Sequence, residues 1–255
     1  MDREKLLYYL PAEYNNKIIV MESVDSTNSY LKRTASDCAE GTVVLALQQT
    51  EGRGRRGHTF LSDAGGLYLS MLVKPMDGEI ATVTARTAVA LCDAVESVCG
   101  TRPAIKWVND LMLNNKKIGG ILVESISVMG KIDSIIIGLG LNVNTNSLDL
   151  SITNIATSLK IYADREIDFE KLAAQVILGL HDMTDAWQTG RQKAFQQYYQ
   201  DCHTLGQKVS FHKNGKKYRG IAIGLGEDFS LLVRTNEGQM MRLDSGEISV
   251  LPPEG

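Results

Sequence analysis

The architecture of the chain is set by the runs Val43-Val-Leu-Ala-Leu-Gln48, Gly52-Arg-Gly-Arg-Arg-Gly57 and Leu67-Tyr-Leu-Ser-Met-Leu-Val73. The first and third runs are short and apolar, as in buried β-strands. The middle run intersperses glycine with permanently charged arginine, a composition that does not enter a core. The sequence therefore predicts two strands of one sheet, with a long polar loop between them.

Further strands and helices extend this pattern on both sides. Short apolar runs predict strands at 17–22, 104–107, 111–113, 117–127 and 134–144. Capped or Gly- and Pro-free runs predict helices up to residue 35 and at 79–98, 154–162, 169–188 and 193–202. Strands come first and helices cluster late, which favours an α+β fold, a mixed sheet flanked by helices, over regular βαβ alternation.

The pattern of the sequence changes near residue 205. Short alternating runs at 208–212, 217–225, 230–234 and 240–243 are separated by glycine turns, of which Asn214-Gly215 is a strong hairpin signal. These runs predict a small β-barrel. We therefore expect two domains, a larger one over 17–203 and a smaller one over 204–255.

Composition excludes several broad classes of protein. The 255 residues are 44% hydrophobic, which disfavours wholesale disorder, and the net charge of -3 disfavours a protein that binds nucleic acid through its overall charge. No apolar run reaches the roughly 20 residues needed to span a bilayer, and the charged N-terminus predicts no signal peptide. The four cysteines form no CxxC, so we expect free thiols in a reducing cytoplasm.

The glycine–arginine loop, residues 52–57, is the strongest candidate for chemistry. Glycine lets backbone N–H groups approach a ligand, and the arginine fork suits a carboxylate or a phosphate. The loop lacks the Gly-Lys-Ser/Thr ending of a Walker motif. A solvated or RNA-contacting basic loop remains an alternative.

Three other stretches are candidates, each with a purely structural alternative. Lys106–Leu111 and Lys116–Ile121 bring lysines, an amide and a carboxylate beside paired glycines, or else form a capped turn. Gly138-Leu-Gly-Leu-Asn-Val-Asn144 admits the close approach of a ligand or of a neighbouring strand. Ser26-Thr27-Asn28 is typical of a helix cap.

These candidates share one kind of chemistry. They supply positive charge and glycine backbone, but no evident nucleophile or general base. The histidines at 58, 181, 203 and 212 have no metal-ligand spacing. Such a set suits the activation of a carboxylate by a nucleotide, in which positioning and charge neutralisation dominate.

Six motifs resemble those of the biotin protein ligase family, in the same order and with similar spacing. They are Asp25-Ser-Thr-Asn28, Gln48-Gln-Thr-Glu-Gly-Arg-Gly-Arg-Arg-Gly57, Leu67-Tyr-Leu-Ser-Met71, Lys106-Trp-Val-Asn-Asp110, Lys117-Ile-Gly-Gly-Ile-Leu-Val-Glu124 and Gly138-Leu-Gly-Leu-Asn142. The resemblance implies a catalytic domain like that of class II aminoacyl-tRNA synthetases and an SH3-like C-terminal barrel. It also implies a biotin–[acetyl-CoA-carboxylase] ligase, which makes biotinyl-5′-AMP from biotin and MgATP and then transfers biotin to a carrier lysine.

The resemblance assigns roles to individual residues. The implied biotin-binding residues are Ser26, Thr27, Asn28, Gln49, Gly52, Arg53, Gly54, Arg55, Tyr68, Lys117 and Gly120. The implied ATP- and adenylate-binding residues are Arg53, Arg55, Arg56, Asn109, Asp110, Lys117 and Asn142. Lys117, Arg55 and Asp110 are the implied catalytic residues, and Mg²⁺ is expected with ATP. No residue is assigned in the adenine-covering segment near 145–160.

The chain departs from the family pattern at two positions. Val108 stands where the family usually has proline, and His58 where arginine or lysine is common.

The implied partner is the biotin carboxyl carrier domain of acetyl-CoA carboxylase or of other biotin-dependent carboxylases, and a homodimer is compatible with the family. About sixteen residues precede the first predicted strand, so no DNA-binding module is expected. A lipoate ligase and a nucleic-acid-binding regulator remain the alternatives.

Overall fold

A seven-stranded mixed sheet forms the centre of the larger domain. The computed structural model of the chain describes residues 1–74, 80–146, 153–246 and 248–251. The strands are β1 (Ile18–Val24), β2 (Val43–Gln49), β3 (Gly66–Val73), β4 (Ala104–Lys106), β5 (Asp110–Leu113), β6 (Lys116–Val128) and β7 (Lys131–Asn142). Their order in the sheet is β1-β2-β3-β7-β6-β5-β4, with β1 and β2 parallel and the other pairs antiparallel. The predicted mixed sheet is confirmed.

Helices cover this sheet and complete the core. They are α1 (Arg3–Tyr8), α2 (Thr27–Thr34), α3 (Ile80–Cys99), α4 (Leu159–Ala163), α5 (Phe169–Asp185) and α6 (Arg191–Asp201). Buried side chains of α3 and α5, including Leu91 and Leu180, belong to the same apolar cluster as the strand residues Leu69 and Ile137. In the described parts of the chain, no helix is both long and apolar enough to cross a membrane.

The N-terminal residues before β1 pack onto the larger domain. Leu6 is fully buried in the core, and Lys5 Nζ lies 3.0 Å from the Asp168 carboxylate and 3.1 Å from the Glu170 carboxylate. Asp2 caps α1 by accepting hydrogen bonds from the backbone N–H groups of residues 4 and 5. The folded region thus extends ahead of the expected start at residue 17.

One predicted helix is wrong over half of its length. The stretch 154–162 forms a helix only from Leu159, because the residues before it pair with the start of β6. Lys117 N–H donates to the Ile155 carbonyl at 2.8 Å, and Thr157 N–H donates to the Lys117 carbonyl at 2.9 Å. The Ser158 hydroxyl then accepts from Ile161 N–H and begins α4. Residues 147–152 of the expected adenine-covering segment lie outside the described residues.

The C-terminal domain is a five-stranded antiparallel sheet. Its strands are β8 (Lys208–Lys213), β9 (Lys216–Leu225), β10 (Leu231–Thr235), β11 (Met240–Leu243) and β12 (Ile248–Val250), in the order β11-β10-β9-β8-β12. Four strands match the prediction, whereas the three-residue β12 was missed. Over the described residues the strands pair as an open sheet, with no closed barrel.

Aromatic residues join the two domains. The indole N–H of Trp107 donates to the Phe229 carbonyl at 2.9 Å. The Phe229 ring is fully buried, and its centroid lies 5.4 Å from those of both Phe195 and Tyr198 on α6. The turn between β4 and β5 is thereby held against the C-terminal domain.

Candidate active site

A cavity of about 1080 Å³ lies between the glycine–arginine loop, the central sheet and the C-terminal domain. It gathers eleven of the residues predicted for the site, although they are spread over about a hundred positions of sequence. The predicted residues that line it are Ser26, Thr27, Asn28, Gln49, Arg53, Gly54, Arg55, Asn109, Asp110, Lys117 and Gly120. The C-terminal domain contributes Gly246 and strand β12 to the same wall.

A smaller cavity of about 180 Å³ adjoins the first one, and the two share Thr59, Phe60, Lys117 and Ile155 in their linings. The predicted residues Tyr68 and Asn142 line this smaller cavity, which we call the annex. Gly52 and Arg56 line neither cavity. A Cβ at Gly52 would lie 2.2 Å from the Phe60 carbonyl oxygen, so this glycine permits the close packing of the loop on itself.

The N-terminus of α2 builds one end of the large cavity. Ser26 is the N-cap residue, and its hydroxyl accepts from Ser29 N–H at a long 3.4 Å. Thr27 N–H donates to Gln49 Oε1 at 2.9 Å, and Gln49 Nε2 donates to the Ser62 hydroxyl at 2.9 Å. The Gln49 amide is therefore fixed, and Ser62 takes only one of its two N–H donors. This end offers hydroxyl and amide groups suited to a small polar ligand such as a urea.

Asn28 forms the floor of that end and is held from three sides. Its Nδ2 donates to the Leu122 carbonyl at 3.2 Å and to Glu124 Oε2 at 2.8 Å, while its Oδ1 accepts from the Ser70 hydroxyl at 2.6 Å. A Cβ at Gly138 would lie 2.0 Å from Asn28 Oδ1, so the strand must carry glycine there. Both amide hydrogens of Asn28 are thus used inside the protein, and one lone pair of its oxygen remains for a ligand.

Lys117 lies where the two cavities meet. Its Nζ is 2.6 Å from Asp110 Oδ1 and 5.9 Å from the centre of the Phe60 ring. A Cβ on Gly120 would approach Lys117 Nζ to 3.2 Å, so glycine at this position leaves room around the ammonium. The Lys117 ammonium, which Asp110 holds in place, can therefore contact an anion that lies across the junction of the two cavities.

The glycine–arginine loop is folded over the large cavity. Gly54 N–H donates to the His58 carbonyl at 2.7 Å, which closes the loop on itself. Arg55 Nη1 donates to Asn109 Oδ1 at 3.0 Å and to the Gly246 carbonyl of the C-terminal domain at 3.3 Å. Arg53 Nη2 lies 3.5 Å from the Glu124 carboxylate on the opposite side. The loop is therefore fixed at both flanks by its arginines.

Burial and hydrogen bonding shift the pKa of two groups at the site. Burial raises the pKa of Tyr68, whose hydroxyl donates to the Asp63 carbonyl at 2.7 Å, so the phenol stays neutral. Burial works against the charged form of Glu124, but hydrogen bonds from Lys32 and Asn28 outweigh it and lower the pKa of this carboxyl. Glu124 is therefore ionised at neutral pH.

Phe60 and Glu124 are among the residues of the site that sequence reasoning did not assign. Phe60 walls both cavities, with its ring in an edge contact with that of Tyr68 at a centroid distance of 6.3 Å. Glu124 contacts Asn28, Lys32 and Arg53 from within a motif that was recognised. An aromatic residue three positions after the loop is the only sequence signal for Phe60. Glu124 has the period-2 spacing that places it on the same face of β6 as Gly120 and Leu122.

Metal-binding groups are sparse in the described parts of the chain, which contain no cluster of three His, Cys, Asp or Glu side chains placed to hold an ion. Asp110 is the one carboxylate residue among those described as lining the large cavity. Mg²⁺ is commonly held by one or two carboxylates together with phosphate oxygens and water. The donor set fits a magnesium ion that arrives on the phosphates of a nucleotide.

The chain is similar over most of its length to a bifunctional ligase/repressor and to two biotin ligases. It is 32% identical over 230 residues to the bifunctional ligase/repressor BirA of Bacillus subtilis, covering 87% of this chain and 70% of that protein. It is 25% identical over 239 residues to the biotin–[acetyl-CoA-carboxylase] ligase of Mycobacterium tuberculosis, covering 90% of this chain and 87% of that protein. The structure of a biotin protein ligase from Aquifex aeolicus in complex with biotin and ATP matches with a TM-score of 0.82 at 28% identity, covering 92% of this chain and 98% of that one.

Two family models define the class to which the fold and the site belong. Residues 20–142 match the biotin/lipoate A/B protein ligase family, and residues 204–251 match the biotin protein ligase C-terminal domain. The chain belongs to the biotin protein ligase family. The family resemblance, the fold class and the expectation of an enzyme of this kind are thereby confirmed.

Proposed function

We propose that the chain is an ATP-dependent biotin–protein ligase. It joins the carboxylate of biotin to the α-phosphate of ATP and releases pyrophosphate. It then transfers biotin from biotinyl-5′-AMP to the ε-amine of a lysine on a carrier domain, which releases AMP. The observation that carries the proposal is the position of Lys117 at the junction of the two cavities. Family membership and the similarity to a ligase solved with biotin and ATP support the choice of substrates.

In this proposal, the large cavity holds biotin. A ureido group has two N–H donors and one carbonyl acceptor. The Ser26 hydroxyl and the Gln49 amide can donate to its carbonyl, while the remaining lone pair of Asn28 Oδ1 can accept from an N–H. The carboxylate tail of such a ligand then extends toward Lys117.

The annex supplies a seat for the nucleotide base. Its aromatic walls, Phe60 and Tyr68, offer surfaces that a purine can pack against, and Asn142 offers an amide held by the Thr157 carbonyl at 3.0 Å. With the base there and biotin in the large cavity, the α-phosphate falls beside Lys117. The reacting carboxylate and phosphate are both anionic, so the Lys117 ammonium and the Arg55 guanidinium offset the charge that develops as they join. When bound, Mg²⁺ would neutralise the departing pyrophosphate.

The second step requires that the adenylate be protected until an amine arrives. The glycine–arginine loop covers the cavity, and water exclusion of this kind preserves reactive intermediates.

The acceptor we propose is the lysine of a biotin carboxyl carrier domain, from acetyl-CoA carboxylase or another biotin-dependent carboxylase. We place the enzyme in the cytoplasm, since its four cysteines are free thiols. A homodimer is compatible with this proposal.

Incubation with biotin, ATP, Mg²⁺ and a purified carrier domain tests the function directly. We expect the intact mass of the carrier to rise by one biotinyl group, and only with ATP. Lipoate replaces biotin in a parallel reaction. The match of the C-terminal domain to biotin protein ligases favours biotin, so a product formed with lipoate and not with biotin would overturn the proposal.

A further inference from the structure

Glu124 stands at the centre of a polar cluster that spans three segments of the chain. Its Oε2 accepts from Asn28 Nδ2 at 2.8 Å, and its Oε1 lies 2.6 Å from Lys32 Nζ and 3.5 Å from Arg53 Nη2. The side chain is 15% exposed. The Glu124 carboxylate thus contacts both helix α2, whose Asn28 forms the floor of the large cavity, and the glycine–arginine loop.

The position of Glu124 follows from the pleat of β6. Alternate residues of a strand face the same side, so Gly120, Leu122 and Glu124 point together toward the cavity. The first two line it, and Glu124 stands just beyond them, under the loop. A carboxylate oxygen can accept from more than one donor, which allows Glu124 to hold Asn28 and to attract Arg53 at the same time.

We propose that Glu124 is a positioning residue that latches the glycine–arginine loop, through Arg53, to the floor of the large cavity. The contact with Asn28 fixes the carboxylate, and the fixed carboxylate attracts Arg53 and holds the loop closed. Closure of the loop therefore depends on Glu124, the same residue that orients Asn28 in the floor of the cavity. The role in the reaction rests on the proposed function, because it assigns the latch to retention of the adenylate. The mechanical part does not rest on it.

Tryptic cleavage of the loop, without biotin or ATP, tests the mechanical part. Trypsin cuts after arginine, so cleavage after Arg55 and Arg56, read by mass spectrometry, reports how often the loop opens. Glu124→Gln keeps an oxygen for Asn28 but removes the charge that attracts Arg53. We expect loop cleavage to be about 2- to 5-fold faster, the size expected for a partly exposed ion pair. Glu96→Gln, on α3, removes a carboxylate that pairs with Arg102 and serves as the matched control, with unchanged cleavage.

Arg53→Gln approaches the latch from the loop side, where no fold-bearing contact is lost. We expect it to accelerate cleavage after residues 55 and 56 as much as Glu124→Gln does, and the double variant to be no faster than either single variant. Full additivity, or equal rates in Glu124→Gln and Glu96→Gln, would overturn the latch.

The role in the reaction has its own readout. If the latch retains the adenylate, Glu124→Gln will biotinylate bystander lysines of an unrelated protein about 2- to 5-fold faster than the unaltered enzyme. Faster tryptic cleavage with unchanged bystander labelling would overturn the retention role while leaving the latch in place. No labelling by any variant or by the unaltered chain, with the cleavage effect present, would count against the proposed function alone.

Discussion

At the scale of single residues, the site combines one lysine ammonium that lines both cavities with several side chains that are already hydrogen-bonded within the protein. Lys117 is paired with Asp110 and lines both cavities. Asn28 and Gln49, by contrast, spend most of their hydrogen-bonding capacity inside the protein. In the proposed function, the chemistry therefore falls on Lys117, while the amides select the ligand.

Replacement of Lys117 tests this division. We expect Lys117→Ala to lower the rate of pyrophosphate release with biotin and ATP by about 100-fold or more, the usual cost of losing one charged group at a transition state. Lys116→Ala is the matched control, because the ammonium of Lys116 donates to the Thr153 carbonyl at 2.8 Å and lies outside both cavities. A near-normal rate in Lys117→Ala would contradict the catalytic role.

His181 makes stability depend on pH. Burial, aided by the charge of Lys17, lowers the pKa of His181, whose ring packs on Tyr14 at a centroid distance of 4.4 Å; the acidic neighbours Asp182, Asp185 and Glu13 act in the opposite direction. The unfolded chain binds a proton as the pH falls through about 6.5, whereas the folded chain does not until a lower pH. The free energy of unfolding should therefore fall as the pH drops through this window.

Denaturant unfolding at about pH 7.5 and about pH 5.5 measures the effect. We expect a smaller difference between the two pH values in His181→Phe than in the unaltered protein. His212→Gln, at an exposed position, should leave the difference unchanged. An equal pH dependence in His181→Phe would show that other groups account for it.

At the scale of elements, the strands that carry the site were predictable and some of their partners were not. The runs at β2, β3 and β7 are apolar and bounded by polar turns, so their positions follow from local sequence. The helix predicted from residue 154 failed because backbone pairing with Lys117, a long-range contact, outweighs local helical preference. The motif residues could be placed in one site, whereas the contact of Glu124 with the loop exists only once the sheet has formed.

Strand β7 offers a test at this scale, because its glycines form part of the cavity wall. Gly138→Ala would place a methyl group against Asn28 Oδ1 and displace the floor. We expect the Kd for biotin to rise by about 10-fold or more, in line with the cost of overpacking, as measured by calorimetry. Gly179→Ala in α5 is the matched control, since an added Cβ there would lie at an ordinary 3.5 Å from its nearest neighbour, the Ala90 carbonyl oxygen of α3. Unchanged affinity in Gly138→Ala would mean that biotin is seated elsewhere.

At the scale of the whole molecule, the two domains act as one frame around the cavity. Phe229 packs against α6, Trp107 is tied to the Phe229 carbonyl, and Gly246 accepts from Arg55. The C-terminal domain therefore supports both the turn that carries Asp110 and the loop that covers the cavity. Its removal from this position should affect catalysis as well as stability.

Phe229→Ala measures that support. We expect it to lower the free energy of unfolding by about 3–5 kcal/mol, as for other buried phenylalanines, and to slow pyrophosphate release because the Gly246 carbonyl no longer supports Arg55. Tyr199→Ala, at a position 46% exposed on α6, should leave both quantities close to normal. Lost stability with a normal rate of pyrophosphate release would contradict the shared frame.

The bare backbone at Gly138 and Gly140 has a practical consequence for protein engineering. A Cβ at either position would collide with Asn28 or with the Phe60 ring, and no natural side chain is smaller than glycine. Room for enlarged biotin analogues, such as those bearing reactive handles, must therefore come from side chains that can be shortened. Met112, Leu122 and Leu139 line the same cavity, and a combinatorial library aimed at new labelling reagents should randomise these three and leave the glycines fixed.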